Sequence, residues 1–231
     1  MNEVLRQEKK FLINQIQFYK YSRDLEKLMI PDPNNRGDGY QIRSLYFDSL
    51  DDRDYEEKEE GVELRRKIRL RNYGPDNDFA MLEIKQKEGA NQKKRSIRFS
   101  REDAIRLTEG DYSPLLNSRE SDAREIYTIM NIHCYRPKAV VEYRRMAFIA
   151  KENSIRVTFD HHIVGTESNF NIFDRELVQN PVLDPLLAVL EVKYNGFLLS
   201  YIKDMLRQCD RSEMSVSKYA LSRAMSKHFV F

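Results

Sequence analysis

The sequence predicts an α+β protein: roughly eight largely antiparallel strands forming one open sheet or a closed β-barrel, with helices interleaved between them. Three observations predict this. Short segments that alternate charged with apolar residues recur along the chain, as in Lys67-Ile68-Arg69-Leu70-Arg71, Glu83-Ile84-Lys85-Gln86-Lys87 and Arg156-Val157-Thr158-Phe159-Asp160. Successive side chains of a strand point to opposite faces, so each segment has one charged face and one largely apolar face. Turn residues join several segments directly to their successors, which makes the sheet antiparallel, and closure would remove its exposed edges. Finally, stretches with apolar residues at helical spacing lie between the strands.

The elements follow in order. Residues 4 to 13 read as a strand, and residues 14 to 29 as a helix on the spacing of Ile16, Tyr19, Leu25, Leu28 and Met29. The stretch Pro31 to Gly39, rich in Pro, Asn and Gly, is a loop. Its Gly37-Asp38-Gly39 is a turn and not a nucleotide loop, because no phosphate-binding helix with its lysine follows. Ile42 to Phe47 is a strand and Asp51 to Glu60 a charged turn and helix. Glu63 to Tyr73 and Phe79 to Lys87 form a hairpin across Gly74-Pro75-Asp76-Asn77. Gly89 to Lys94 reads as a solvated basic loop before a short strand, Ser96 to Phe99, and residues 101 to 132 read as mostly helical. Ala139 to Ala150 and Ser154 to Ile163 make a second hairpin, Leu187 to Tyr194 is a strand, and helices at 197 to 209 and 215 to 227 end the chain.

At 231 residues the chain is read as one domain, 1–231. Charged residues make up 33%, yet 13 Tyr and 12 Phe argue against disorder. Cys134 and Cys209 lie far apart, in no metal-ligand spacing, and read as thiols of a reducing compartment. With neither a signal peptide nor an apolar run long enough to span a bilayer, the expectation is a soluble, cytoplasmic protein. The net charge is only +2, so partners are not declared by the total. The distribution is more telling. On the charged faces Arg6, Lys10, Lys67, Arg69, Arg71, Lys85, Lys87, Arg145, Arg156, Lys193 and Lys218 face only Glu8, Glu83, Asp160 and Glu191. Concentrated positive charge of this kind calls for a polyanion.

For any one strand, an ordinary solvated face explains the alternation; across the set, solvent faces would mix signs more evenly. Salt bridges account for Glu8 and Glu83 as well as metal binding does, and Asp160 reads as a partner orienting Arg156. His161-His162 reads as structural, since neighbours on a strand point oppositely. Tyr46, Phe47 and Phe148 read as core. Nucleic acid is disfavoured: Ile68, Leu70, Ile84 and Val157 stand at the alternate positions where stacking aromatics would be needed.

In order along the chain stand Arg6-x-Glu8-x-Lys10, Ser44-Leu45-Tyr46-Phe47-Asp48, Arg69-x-Arg71, Glu83-x-Lys85 and Tyr143-x-Arg145-x-Ala147-Phe148. Arg156 with Asp160, Glu191-x-Lys193 and Ser217-Lys218 complete the series. The series resembles the triphosphate tunnel metalloenzyme (CYTH-like) superfamily, and within it the polyphosphate polymerase domain of the vacuolar transporter chaperone (VTC) family. The resemblance implies a closed barrel with a cation-lined tunnel that grips a chain of phosphates, and acidic residues that hold a divalent metal, Mn2+ or Mg2+. It implies transfer of the ATP γ-phosphate onto polyphosphate, with two alternatives open: a tunnel hydrolase acting on triphosphate or nucleoside triphosphates, and a non-catalytic polyphosphate or nucleotide binder. Hydrolase and cyclase members carry Glu-x-Glu-x-Lys at the N-terminus, and Arg6 in place of the first Glu favours the polymerase branch. The regulatory domain and membrane region of the eukaryotic polymerases are not expected here.

Phosphoryl transfer needs positioning and charge neutralisation above all. On this resemblance Lys10, Arg69, Arg71, Lys85, Arg145, Arg156, Lys193 and Lys218 act on the transferring phosphates, and Arg6, Lys67, Lys87, Tyr143 and Ser217 bind the substrate chain. Glu191 and Glu8 are the expected metal ligands, because a hard divalent ion prefers oxygen donors and retains room for phosphates and water.

Overall fold

A computed structural model of the chain describes residues 6–89, 91–209 and 217–228. The strands are β1 (Arg6–Asn14), β2 (Ile30–Pro31), β3 (Tyr40–Asp48), β4 (Leu64–Asn72), β5 (Phe79–Glu88), β6 (Asn91–Ser100), β7 (Arg136–Ala150), β8 (Ile155–Thr166), β9 (Asn180–Pro181) and β10 (Leu187–Asn195). The helices are α1 (Gln15–Leu28), α2 (Arg53–Glu59), α3 (Arg101–Thr108), α4 (Pro114–Asn117), α5 (Ala123–Ile132), α6 (Ser200–Gln208) and α7 (Lys218–His228). The class is α+β with a large antiparallel sheet, as expected. Eight strands follow one hydrogen-bonded path, β1-β10-β8-β7-β3-β4-β5-β6, with the two-residue β2 and β9 appended to β7 and β8. The expected closure is not shown: β1 and β6 end the path, with no hydrogen-bonded pairing between them among the described residues.

The chain divides into two compact units. The first comprises residues 1–41, 143–163 and 183–217; the second comprises 42–142, 164–182 and 218–231.

In the first unit, β1 pairs with β10 and β10 with β8, all antiparallel. Phe11 and Ile13, Leu190 and Val192, and Val157 and Phe159 fall on one face and are buried. The helix α1 covers this face through Phe18, Tyr21 and Leu25, spaced i, i+3, i+7, while α6 adds Ile202 and Met205. Asn14 starts α1 at a definite residue: its side chain accepts from the Gln17 backbone N–H at 2.9 Å, and the Gln17 side chain accepts from the Asn14 N–H at 3.0 Å. That reciprocal cap satisfies two donors of the first turn.

In the second unit, β3, β4, β5 and β6 pair in sequence order. The row Leu45, Leu70, Leu82, Ile97 runs straight across four strands on the buried face, flanked by Phe47, Ile68 and Ile84. Leu107, Leu115, Ile126 and Met130 from α3, α4 and α5 close over it. The expected basic loop at 89 to 94 is corrected: Asn91–Ser100 is one continuous strand. Arg95 lies on the apolar side of that strand, where Glu125 and Asp122 of the α5 region and Gln86 take its guanidinium. The ion pairs make burial of the charge tolerable and let the strand continue.

Candidate functional site

The alternation that gives each unit a buried apolar face turns a charged face to the other side, where Lys10, Lys67, Arg69, Lys85, Arg156 and Lys193 are half-buried and Glu83, Asp160 and Glu191 are buried. On the first unit the signs alternate like a checkerboard. Glu8 stands opposite Lys193 and Lys10 opposite Glu191 on β1 and β10, and Arg156 stands beside Lys193 on β8. Opposite charges directly across a ladder attract one another. Glu8 takes the Lys10 ammonium at 2.8 Å and that of Lys193 at 3.7 Å, and Glu191 also pairs with Lys193. Burial and neighbouring Glu191 push the Glu8 carboxyl up, yet Lys10 and Lys193 hold it below its ordinary value. For Glu191, burial is again outweighed by Lys193, Lys10 and Arg145, which pull the group down to about 2.

Arg145 on β7 makes a bidentate pair with fully buried Asp160, at 2.6 and 2.7 Å, and its guanidinium lies 5.4 Å from the centre of the buried Tyr143 ring. Burial opposes its charge, but Asp160 raises its pKa well above the ordinary value. Asp160 therefore orients Arg145, which corrects the expected pairing with Arg156. The partner of Arg156 is Asp32, at 2.8 Å, with the Tyr40 hydroxyl at 3.3 Å. Gly39 fixes this part of the loop: at φ +114° a Cβ would run into the Arg145 carbonyl, so only glycine lets the chain pass and deliver Tyr40. The side chain of Arg6 lies outside the described residues.

Two carboxylates, Glu8 and Glu191, share this face. The buried Glu191 Oε1 makes no hydrogen bond although the Lys193 ammonium is beside it. Among the described residues no group of three or more His, Cys, Asp or Glu converges as a metal cage. The donor set fits a small hard cation that takes one or two carboxylates and fills its other positions with water and phosphate oxygens, as Mg2+ does.

On the second unit cations dominate. Lys67, Arg69 and Arg71 of β4 share a face with Lys85 and Lys87 of β5, and Lys67 stands directly opposite Lys85, which stands opposite Lys94 of β6. Glu83 is the carboxylate of this face on β5. It accepts from Arg69 Nε at 2.7 Å and Lys94 at 2.6 Å, with Arg71 at 3.8 Å, and despite burial Arg69 and Arg71 hold it at about 2. Lys94 and Arg98, outside the expected set, belong to this face as well, since each is two residues from Ser96, the partner of Glu83.

Tyr46 was expected in the core. It is buried, but it stands opposite Arg69 on the charged side. Burial pushes its hydroxyl up, while Arg69, which hydrogen-bonds it, with Lys67 and Lys218 brings it down to about 8. The signal was present: Ser44 and Asp48, two residues away on either side, are polar, whereas Leu45 and Phe47 are not. The Lys67 ammonium lies 5.5 Å from the Tyr46 ring centre and 5.8 Å from that of Tyr219. Ser217 precedes α7 and Lys218 begins it, and both are half-buried.

His161 and His162 also depart from expectation. His162 has φ +48°, which breaks the strand alternation, and the two Nδ1 atoms meet at 2.7 Å while His161 Nε2 meets the Asp38 carbonyl at 2.8 Å. The pair nevertheless holds backbone and ring to each other, which is the structural role read for it.

The family model of the VTC domain matches residues 5–227, and the chain belongs to that family. The family is one of triphosphate-tunnel phosphoryl-transfer proteins, generally dependent on divalent metal and binding nucleoside triphosphates or polyphosphate. Among solved structures the chain is similar to a candidate adenylate cyclase from Bacillus halodurans, with 12% identity, 92% of this chain and 95% of that one covered, and a TM-score of 0.55. A candidate adenylate cyclase from Vibrio parahaemolyticus matches at 11% identity over 94% and 97%, with a TM-score of 0.48. The first likeness supports the fold. No curated protein matches the chain. No described helix is long and apolar enough to cross a membrane.

Proposed function

We propose that the protein is a polyphosphate polymerase, one domain that moves the γ-phosphate of ATP onto the end of a polyphosphate chain. The observation that carries this reading is the face bearing Lys67, Arg69, Arg71, Lys85 and Lys87, where Lys67 stands directly opposite Lys85 and Arg69 opposite Glu83. Like charges placed opposite each other repel, and a phosphate chain laid over Lys67 and Lys85 would offset that repulsion. Arg supplies paired donors to phosphate oxygens and Lys a mobile point charge, so together they suit a chain of phosphates. Lys10, Arg145, Arg156, Lys193 and Lys218 add charge neutralisation, and Ser217 and Tyr143 supply hydroxyl donors to the substrate.

In the reaction a terminal oxygen of the acceptor chain attacks the γ-phosphorus of ATP. The bond from that phosphorus to the β–γ bridging oxygen breaks, and ADP leaves with the electron pair. No protein nucleophile is required, because the acceptor is itself a strong anionic oxygen nucleophile. A divalent ion, Mn2+ or Mg2+, held by Glu191 and Glu8 would neutralise charge on the phosphates. The Tyr46 hydroxyl, brought down to about 8 chiefly by Arg69, can donate a hydrogen bond to a terminal phosphate oxygen while it is protonated. A cytoplasmic location, with ATP at hand and Cys134 and Cys209 reduced, accompanies this reading.

The test is incubation with ATP and Mn2+ followed by gel separation of the products. A ladder of long chains is the expected result. Short phosphates alone would establish the triphosphatase instead, and tight polyphosphate binding without turnover would establish a binding module.

A further inference from the structure

Lys218 is the first residue of α7, an unusual place for a cation, because the N-terminal end of a helix carries partial positive charge. Its charge acts on the Tyr46 hydroxyl together with those of Arg69 and Lys67, so something other than the helix dipole must hold it there. The adjacent residue does. Tyr219 is 1% exposed and donates its hydroxyl hydrogen to Asp48 Oδ2 at 2.6 Å. Its ring stacks on Tyr46, with centroids 5.1 Å apart and planes at 27°, and the Tyr55 ring meets it edge-on at 6.3 Å.

Asp48 makes this anchor firm. It is fully buried at the end of β3 and accepts from the backbone N–H groups of Ser49 at 2.7 Å, Asp54 at 2.8 Å and Tyr55 at 3.0 Å. One carboxylate thus ties the start of α2, the end of β3 and the first turn of α7 together. Farther along α7, Arg223 pairs with Asp52 and Glu167, and these contacts hold the body of the helix.

We propose that Tyr219 is the positioning residue for Lys218 and Lys67. Its hydroxyl, bound to Asp48, sets the first turn of α7 and so the reach of the Lys218 ammonium. Its ring, together with that of Tyr46, forms the aromatic surface over which the Lys67 ammonium lies. The role rests on the reading of these lysines as phosphate contacts, since their placement matters to function only through the anion they bind.

The experiment compares the wild type with Tyr219→Phe, Lys218→Ala and the double variant. Two quantities are measured on each: affinity for tripolyphosphate by calorimetry, and the Tyr46 ionisation by tyrosinate absorbance, isolated by subtracting the same titration of Tyr46→Phe. Tyr219→Phe keeps the ring and loses only the bond to Asp48; circular dichroism confirms that it folds. If Tyr219 works through Lys218, each single variant weakens tripolyphosphate binding by roughly tenfold, and the double variant is little worse than Lys218→Ala, the non-additivity of a shared interaction. The Tyr46 titration also moves upward in Tyr219→Phe, as it does in Lys218→Ala, because the same cation has left it. Additive losses, or a Tyr46 titration that Lys218→Ala moves and Tyr219→Phe leaves in place, overturn the proposal. Should Lys218→Ala bind tripolyphosphate like the wild type, the phosphate-contact reading of Lys218 falls, and the Tyr46 titration still decides whether Tyr219 places it.

Discussion

The two charged faces obey the same strand alternation and differ in how their charge is balanced. On the first unit every cation of the checkerboard has a carboxylate beside it: Lys10 and Lys193 have Glu8 and Glu191, Arg145 has Asp160, and Arg156 has Asp32. On the second, Arg69, Arg71 and Lys94 all converge on one carboxylate, Glu83, while Lys67 stands opposite Lys85. The difference teaches that a basic strand is not in itself an anion site. A balanced face can stay ordered with no ligand and is suited to holding a metal among its carboxylates. A face whose strands carry more cations than carboxylates is suited to a polyanion, and that asymmetry is where the proposed chemistry divides its labour.

The largest effect is expected from removing surplus cations. Arg69→Ala combined with Arg71→Ala should weaken tripolyphosphate binding by about 100-fold or more, on the order of 1.5–3 kcal/mol for each charged hydrogen-bonding group. Isothermal titration of a variant shown to be folded measures this, and wild-type affinity would mean that the surplus charge serves something else. Glu191→Gln should separate binding from turnover: roughly a 100-fold loss of metal-dependent phosphoryl transfer, with tripolyphosphate affinity kept. A parallel loss of both would place Glu191 among structural ion pairs.

The balanced face can be broken through Asp160. Replacing it by Asn leaves the Arg145 guanidinium without its carboxylate, and a broken buried pair costs about 3 kcal/mol or more. Urea unfolding should show that loss; an unchanged midpoint would mean that Arg145 finds another acceptor.

The smallest effect concerns pH. Asp54 lies behind the cation-rich face, where burial, and then Asp48, push its carboxyl up to about 8, and Tyr135 donates to it at 2.8 Å. The native state therefore holds this proton more tightly than the unfolded chain, whose Asp titrates near 4. The stabilisation is complete below about pH 4 and is lost as pH rises through about 8. Asp54→Asn should flatten the decline, by ~1–3 kcal/mol between pH 6 and pH 9. Parallel wild-type and variant curves would show that Asp54 is ionised throughout.

Much of this was legible from alternation alone. Ile68, Leu70 and Ile84 are buried as their positions require, and Lys67, Arg69, Arg71 and Lys85 share the other face. The strands of the main path were also readable, because hairpin turns at residues 74–77 and 151–154 separate long alternating runs. What failed did so where a local rule was overridden. Arg95 interrupts a basic run from the apolar side, and only the acids of the α5 region, remote in sequence, explain why it can be there. His162 turns its ring to His161 through a positive φ that no spacing announces. Tyr46 is buried, as a Tyr beside Phe suggests, and its polar neighbours Ser44 and Asp48 at two-residue spacing already put it on the charged side of β3. The partner of Asp160 was beyond reach for a different reason: Arg145 and Arg156 lie on different strands, and sequence spacing does not tell which one reaches it.

A structure determined with tripolyphosphate bound tests the division between the two faces most directly. Phosphate oxygens within hydrogen-bonding distance of Arg69 and Arg71, with Glu83 still paired beneath them, are the expected result. Phosphates bound elsewhere, with the Arg69 and Arg71 guanidiniums left in contact with Glu83 and solvent alone, would contradict it.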